Sequence, residues 1–163
     1  MSVESQQGKA QYAEVLSRLT ELYQAGRMPS LVPLLPVLLR LKGEPYTLLN
    51  HFPMEPVFSS VAPRTLVLKT ARQVSKSTTL AAYACLLSAM APYFSTLYIA
   101  PRFEQTRRFS TNYVRPFLTD TPLGDVMVDP SMNQSVLQRS FVNGSLQYFS
   151  FAFLDPGRTR GIA

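Results

Sequence analysis

Residues 66–79 read LVLKTARQVSKSTT, and the reading of this stretch decides the fold. Leu66-Val67-Leu68 is an apolar run that ends in a short polar loop. Lys76-Ser77 then opens a segment that continues into AAYACLLSAM at 81–90. Strand, loop, Lys-Ser and helix in that order are the layout of a phosphate-binding loop. The strand carries the loop to the end of a sheet, and the backbone N–H groups at the start of the helix face an anion. Lys76 can reach the outer phosphates, and the Ser77 hydroxyl can hold Mg²⁺. The pattern predicts a central strand over Thr65–Thr70 and a helix over Ser77–Met90. In the pattern G-x-x-x-x-G-K-[ST], Thr70 and Ser75 stand at the glycine positions. Ser75 is therefore expected to adopt a glycine-like backbone conformation with a side chain attached. The plainer reading is a surface loop that happens to contain Lys-Ser.

Length and composition bound the rest. A chain of 163 residues has the size of one domain, and 46% hydrophobic residues are enough for a packed core. Charged residues make up 16%, below the usual value of about 25%. The net charge of +6 suits a nucleic acid or another phosphate-bearing partner, though an ordinary basic domain has the same balance. Cys85 is the only cysteine, so no disulfide can form within the chain, and a buried, inert thiol is expected. His51 is the only histidine, which leaves little support for a histidine metal site or a Ser-His-Asp triad. The apolar stretch Leu31–Leu41 is interrupted by Pro33 and Pro36 and is shorter than the roughly 20 residues of a membrane span. With a polar start, MSVESQQGKA, the chain is expected to be intracellular, soluble and free of membrane.

The fold class expected is α/β. A mainly parallel sheet is flanked by helices, preceded by a helical segment and followed by a β-hairpin. Lys9–Ala25 has a helical stripe of Tyr12, Val15, Leu16, Leu19, Leu22 and Tyr23, and Gly26 ends it. A second helix, disturbed by Pro36, is expected over Ser30–Leu41. Residues 45–63 read as a loop wrapped on the core. Thr96–Pro101 is a second strand. The helix Arg102–Leu118 should turn Phe103, Thr106, Ser110, Tyr113, Val114 and Phe117 to one side. Gln134–Phe141 and Ser145–Phe151 alternate around Asn143-Gly144, a hairpin signal for a turn with positive φ at both central residues. The chain divides into a helical segment, 1–44, and a nucleotide-binding part, 45–163.

The loop ARQVSKSTT resembles the deviant phosphate loop of the large terminase subunits of tailed phages, which commonly lacks the first glycine. Tyr98-Ile99-Ala100-Pro101 followed by a helix bearing Gln105 resembles the next element of the same motors. The resemblance implies a P-loop ATPase that binds ATP and Mg through Thr70, Ala71, Arg72, Gln73, Val74, Ser75, Lys76, Ser77 and Thr78. Lys76 would be the phosphate lysine, Ser77 the magnesium-side hydroxyl and Arg72 the catalytic arginine near the γ-phosphate. It also implies an adenine contact from the segment before the first strand, with Tyr46, His51, Phe52 and Phe58 as candidates. Core packing is the competing reading of those aromatics. Implied partners are double-stranded DNA, the phage portal, the small terminase subunit and further copies of the chain, in the host cytoplasm.

Arg160-Gly161 resembles the pair that precedes the Walker B strand of the family. The acidic residues of that strand have no counterpart here, and Asp155 does not sit where they would. The chain is therefore expected to be the front half of a DNA-packaging ATPase, inactive alone. Two other readings stay open: a helicase-like P-loop ATPase fragment, and a non-enzymatic nucleic-acid-binding or assembly remnant. Arg102, Arg107, Arg108 and Arg115 lie on or beside one helix. They read either as a DNA or subunit contact or as a solvated face with a Glu104–Arg108 pair.

Overall fold

A computed structural model describes residues 3–27, 29–49, 51–59 and 65–152. Helix α1 spans Val3–Gln24 and buries Leu16 and Leu19, with Tyr12, Val15 and Tyr23 packed beside them. It starts earlier than its apolar stripe. It ends where Gly26 takes φ 70, with Gly26 N donating to Tyr23 O and Arg27 N to Leu22 O. That pairing satisfies the last carbonyls of the helix.

The long helix expected over Ser30–Leu41 does not form. A 3₁₀ turn at Val32–Leu34 runs into one turn of helix, α2, at Leu35–Leu38, and Leu39 is extended. Pro33 and Pro36 each fall in a first turn, where a missing N–H is tolerated, and neither sits in a helix interior. The chain then makes a small hairpin, β1 Arg40–Leu41 against β2 Glu44–Pro45, turned by Lys42 and Gly43 at φ 55 and 85. A 3₁₀ turn at Phe52–Met54 leads into α3, Glu55–Ser59.

The strand expected over Thr65–Thr70 is also absent. These residues are irregular, with Leu66 46% and Val67 82% exposed. Three successive apolar residues are not enough for a strand. A ladder needs a neighbouring strand for its N–H and C=O groups, and among the described residues none lies beside this run.

Helix α4, Lys76–Met90, forms as expected to within one residue. It is followed by β3, Ser95–Ala100. The next helix runs from Phe103 to Leu118 in three parts: α5 Phe103–Arg108, a π-helical stretch Phe109–Val114, and α6 Arg115–Leu118. The widened stretch ends just before Pro116, which has no N–H to continue the ladder, and Arg115 N instead reaches Ser110 O. This changes the helical phase. Phe109, absent from the expected stripe, is buried and stacks on Tyr98 with ring centroids 3.8 Å apart. Phe103 is 40% exposed and Tyr113 only half-buried. The Glu104–Arg108 pair is replaced by a Glu104–Arg107 bridge of 3.2 Å on the exposed face.

Helix α7, Pro122–Met127, is capped by Thr121, whose hydroxyl accepts from Gly124 N. Then β4, Gln138–Ser140, and β5, Leu146–Phe151, form the expected hairpin. The predicted strand from Gln134 shrinks to three residues plus a bridge between Gln134 and Arg139. The sheet is mixed and three-stranded, in the order β3-β5-β4. β3 and β5 are parallel, from Ser95↔Leu146 to Ala100↔Phe151, with α5 to α7 in the crossover between them. The fold is thus α/β, and its sheet holds one parallel and one antiparallel pairing.

The hairpin turn differs in kind from the expected one. Only Gly144, at φ 81, is left-handed, and Gly144 N donates to Phe141 O. Asn143 has another task. Its Nδ2 donates to Ser88 O and Ala89 O at 2.8 and 3.0 Å, while Ser145 Oγ donates to Ala91 O at 2.7 Å. The turn therefore satisfies the last carbonyls of α4, which a helix leaves unpaired.

One buried cluster joins Leu16, Leu31, Leu35, Phe58, Leu86, Phe117, Leu123 and Phe149, so the core draws on both of the segments distinguished in the sequence. Cys85 lies in it, wholly buried, as expected. No helix among the described residues is long and apolar enough to cross a membrane.

Candidate functional site

The loop before α4 is closed by its own side chains and backbone. Ser75, the N-cap of α4, has φ 60 and ψ 19, the left-handed conformation that its place in the pattern requires. Gln73 is left-handed as well, at φ 63. A left-handed residue followed by helical Lys76 turns consecutive N–H groups into a concave, anion-binding arrangement. The first bond of the helix is Thr79 N to Ser75 O, 2.8 Å. The amides of Lys76, Ser77 and Thr78 thus emerge from the helix end without an acceptor in the preceding turn.

Lys76 holds the loop together. Its ammonium donates to Thr70 Oγ1 at 2.9 Å, to Thr70 O at 3.3 Å and to Ala71 O. It therefore spans the mouth of the loop, at the same helix end as the emerging amides.

Residues 73–78 and Tyr113 line a cleft of about 350 Å³. A second cleft, about 410 Å³, lies against it and shares Ser77 and Tyr113. This one is lined by the C-terminal end of β3, from Tyr98 to Pro101, and by Gln105, Arg108 and Phe109. The C-terminal ends of parallel strands are where ligands bind in open α/β sheets. Burial, and secondarily the neighbouring Tyr113, push the Tyr98 phenol above its usual value, so it stays neutral there.

Of the residues expected at the site, Gln73, Val74, Ser75, Lys76, Ser77 and Thr78 come together around the first cleft. Thr70 and Ala71 contribute through Lys76 and are themselves exposed. Arg72 is exposed and lines neither cleft. Among the adenine candidates, Tyr46 and Phe58 are core residues, with Tyr46 edge-on to Phe117 at 5.3 Å and Phe58 edge-on to Tyr83 at 5.9 Å. Phe52 is 73% exposed. His51 meets the loop itself: its ring nitrogens lie 3.0 and 3.2 Å from Ser75 Oγ. Asp155, Arg160 and Gly161 lie outside the described residues.

Tyr113 bridges both clefts, a role the even helical spacing of the sequence did not suggest. The one available signal was Pro116, which marks a disturbed ladder three residues later. The described residues contain no group of three or more His, Cys, Asp or Glu able to hold a metal by themselves. Neither cleft is lined by a carboxylate. Compared with protein-family models, curated proteins and solved structures, the chain matches none.

Proposed function

We propose that the chain is the front part of a viral DNA-packaging motor ATPase, a terminase large subunit, with a P-loop core that binds ATP and Mg at residues 70–78. The observation that carries this reading is Ser75 in the left-handed conformation at the N-cap of a 15-residue helix, with Lys76 beside it. A loop without glycine takes on a glycine-like backbone where a phosphate loop needs one. The second cleft, between Ser77 and the end of β3, gives room for the rest of a nucleotide.

The residues fit a magnesium nucleotide in a limited way. Mg²⁺ at nucleotide sites is usually held by one or two carboxylates together with phosphates and waters, so the Ser77 hydroxyl would supply only part of the protein's share. When bound, the ion would neutralise charge on the phosphates. Lys76, released from Thr70 and Ala71, would draw the outer phosphates to the helix end, and the amides of Lys76, Ser77 and Thr78 would hold them. Arg72, exposed on the loop, would have to swing in to act as the γ-phosphate arginine. In the assembled motor the partners proposed are double-stranded DNA, the portal, the small subunit and further copies of the chain.

The test is isothermal titration with Mg-ATP. Wild type should bind, and Lys76→Ala should lose at least tenfold in affinity, about 1.4 kcal/mol. Equal binding by the two proteins would end the nucleotide-site reading. The absence of a carboxylate among the cleft residues favours a second reading, binding without turnover, in which this part of the motor holds nucleotide and does not hydrolyse it.

A further inference from the structure

Arg139 on β4 is 4% exposed, yet no carboxylate pairs with it among the described residues. Its Nη2 donates to Ser110 O and Oγ, both at 3.1 Å, and its buried Nε has no acceptor. A buried guanidinium without a counter-charge is costly, and here burial presses its pKa down, opposed by Cys85 and reinforced to a smaller extent by the charge of Arg115. Arg139 and Arg115 line one cleft of about 280 Å³. That cleft continues, through Thr111, Arg115 and Thr119, into another of about 410 Å³ that holds Arg40 and Lys42. The Arg40 guanidinium is fixed by Pro36 O and Leu39 O, so its charge is pre-positioned. Asp120 is the one acid among the residues that line this groove. The groove shares no lining residue with the clefts at the α4 loop.

We propose that the groove running from Arg139 past Arg115 to Arg40 and Lys42 is a second phosphate-binding site, for a ligand carrying more than one phosphate group. Arginine forks suit tetrahedral oxyanions, which accept in several directions. The length of the groove, with cations along it, calls for successive phosphates. Such phosphates come either from a free polyphosphate or from a nucleic-acid backbone.

The test uses the full chain in a Lys76→Ala background, so that the α4 loop lacks its cation and its failure is scored separately. Pyrophosphate is titrated calorimetrically without magnesium, and a fluorescent DNA duplex by anisotropy at several salt concentrations. Arg115→Gln changes an exposed side chain and should fold normally. Arg139→Gln tests the buried donor, with its folding checked by circular dichroism. Arg107→Gln, outside the groove, is the control. Pyrophosphate should bind, and Arg115→Gln should weaken it about tenfold while Arg107→Gln leaves it unchanged. If the source is a nucleic-acid backbone, the duplex also binds, and Arg115→Gln lowers its salt slope by about one. Pyrophosphate binding without duplex binding assigns the site to free polyphosphates. Absence of binding by both ligands overturns the proposal, as does an Arg115→Gln variant that binds both like its parent.

Discussion

Ser75 carries two opposed demands. The left-handed backbone at φ 60 costs a residue with a Cβ about 1–2 kcal/mol, while its hydroxyl meets the His51 ring at 3.0 Å. Glycine would relieve the first and lose the second, and would cost some chain entropy on folding. Ser75→Gly should therefore change unfolding free energy by no more than a gain of about 1 kcal/mol, read from urea denaturation. A loss of more than that would mean that the His51 contact outweighs the backbone strain. Cys85 makes a cleaner case. Burial pushes its thiol up to about 12, so at pH 8 it is neither ionised nor reachable in the folded chain. Labelling by a thiol reagent should follow the rate of unfolding; rapid labelling of the native protein would refute its placement. The same shift should lower stability as pH rises from the ordinary thiol value of 9.0 towards 12, because the unfolded thiol ionises first.

Among the elements, the junction between α6 and α7 is tightly packed at Gly124. A Cβ on Gly124 would lie 2.7 Å from the Leu118 carbonyl carbon and closer still to its oxygen, all of it backbone. Nothing there can swing aside, so α7 itself would have to move, and with it Leu123 and Met127 from the core. Gly124→Ala should cost about 2–3 kcal/mol in thermal or urea unfolding. A cost under 0.5 kcal/mol, the usual range for harmless surface changes, would show that the junction can give way. Gly144 is different. Its Cβ would meet the ring of Tyr93, which is 83% exposed and able to move, so the strain there is mainly the backbone's.

Across the whole molecule, α4 ties the candidate site to the core. Its first turn carries the loop, its middle buries Ala81, Ala82, Cys85 and Leu86, and its last carbonyls are held by the β4–β5 turn. The loop is therefore anchored at its helical end and open at the other, where residues 65–70 join no sheet among the described residues. Among the described residues no carboxylate lines either cleft to orient an attacking water. The isolated chain should release phosphate from ATP no faster than Lys76→Ala does in a steady-state assay. Turnover on the order of 1 per second, as phosphoryl-transfer enzymes reach, would require an acid outside the clefts described.

What the sequence determined by itself was local. The stripe of α1 and its Gly26 ending, the extent of α4, the β3 run and the hairpin around Gly144 all depend on side-chain period and on the backbone freedom of single residues. The left-handed Ser75 was legible for the same reason, since the pattern demands that conformation at that position whatever residue fills it. What only the tertiary structure decided was pairing. Whether Leu66-Val67-Leu68 becomes a strand depends on a neighbour to bond with, and apolar content carries no information about that neighbour. The π-helical stretch that brings Phe109 inward and Tyr113 to the clefts shifts phase over six residues, which a period of 3.6 averages away. The uses of Asn143 and Arg139 lie in partners 54 or 55 and 29 residues away, at the end of α4 and at Ser110. Hydrogen bonds over such separations are set by packing, after the elements exist.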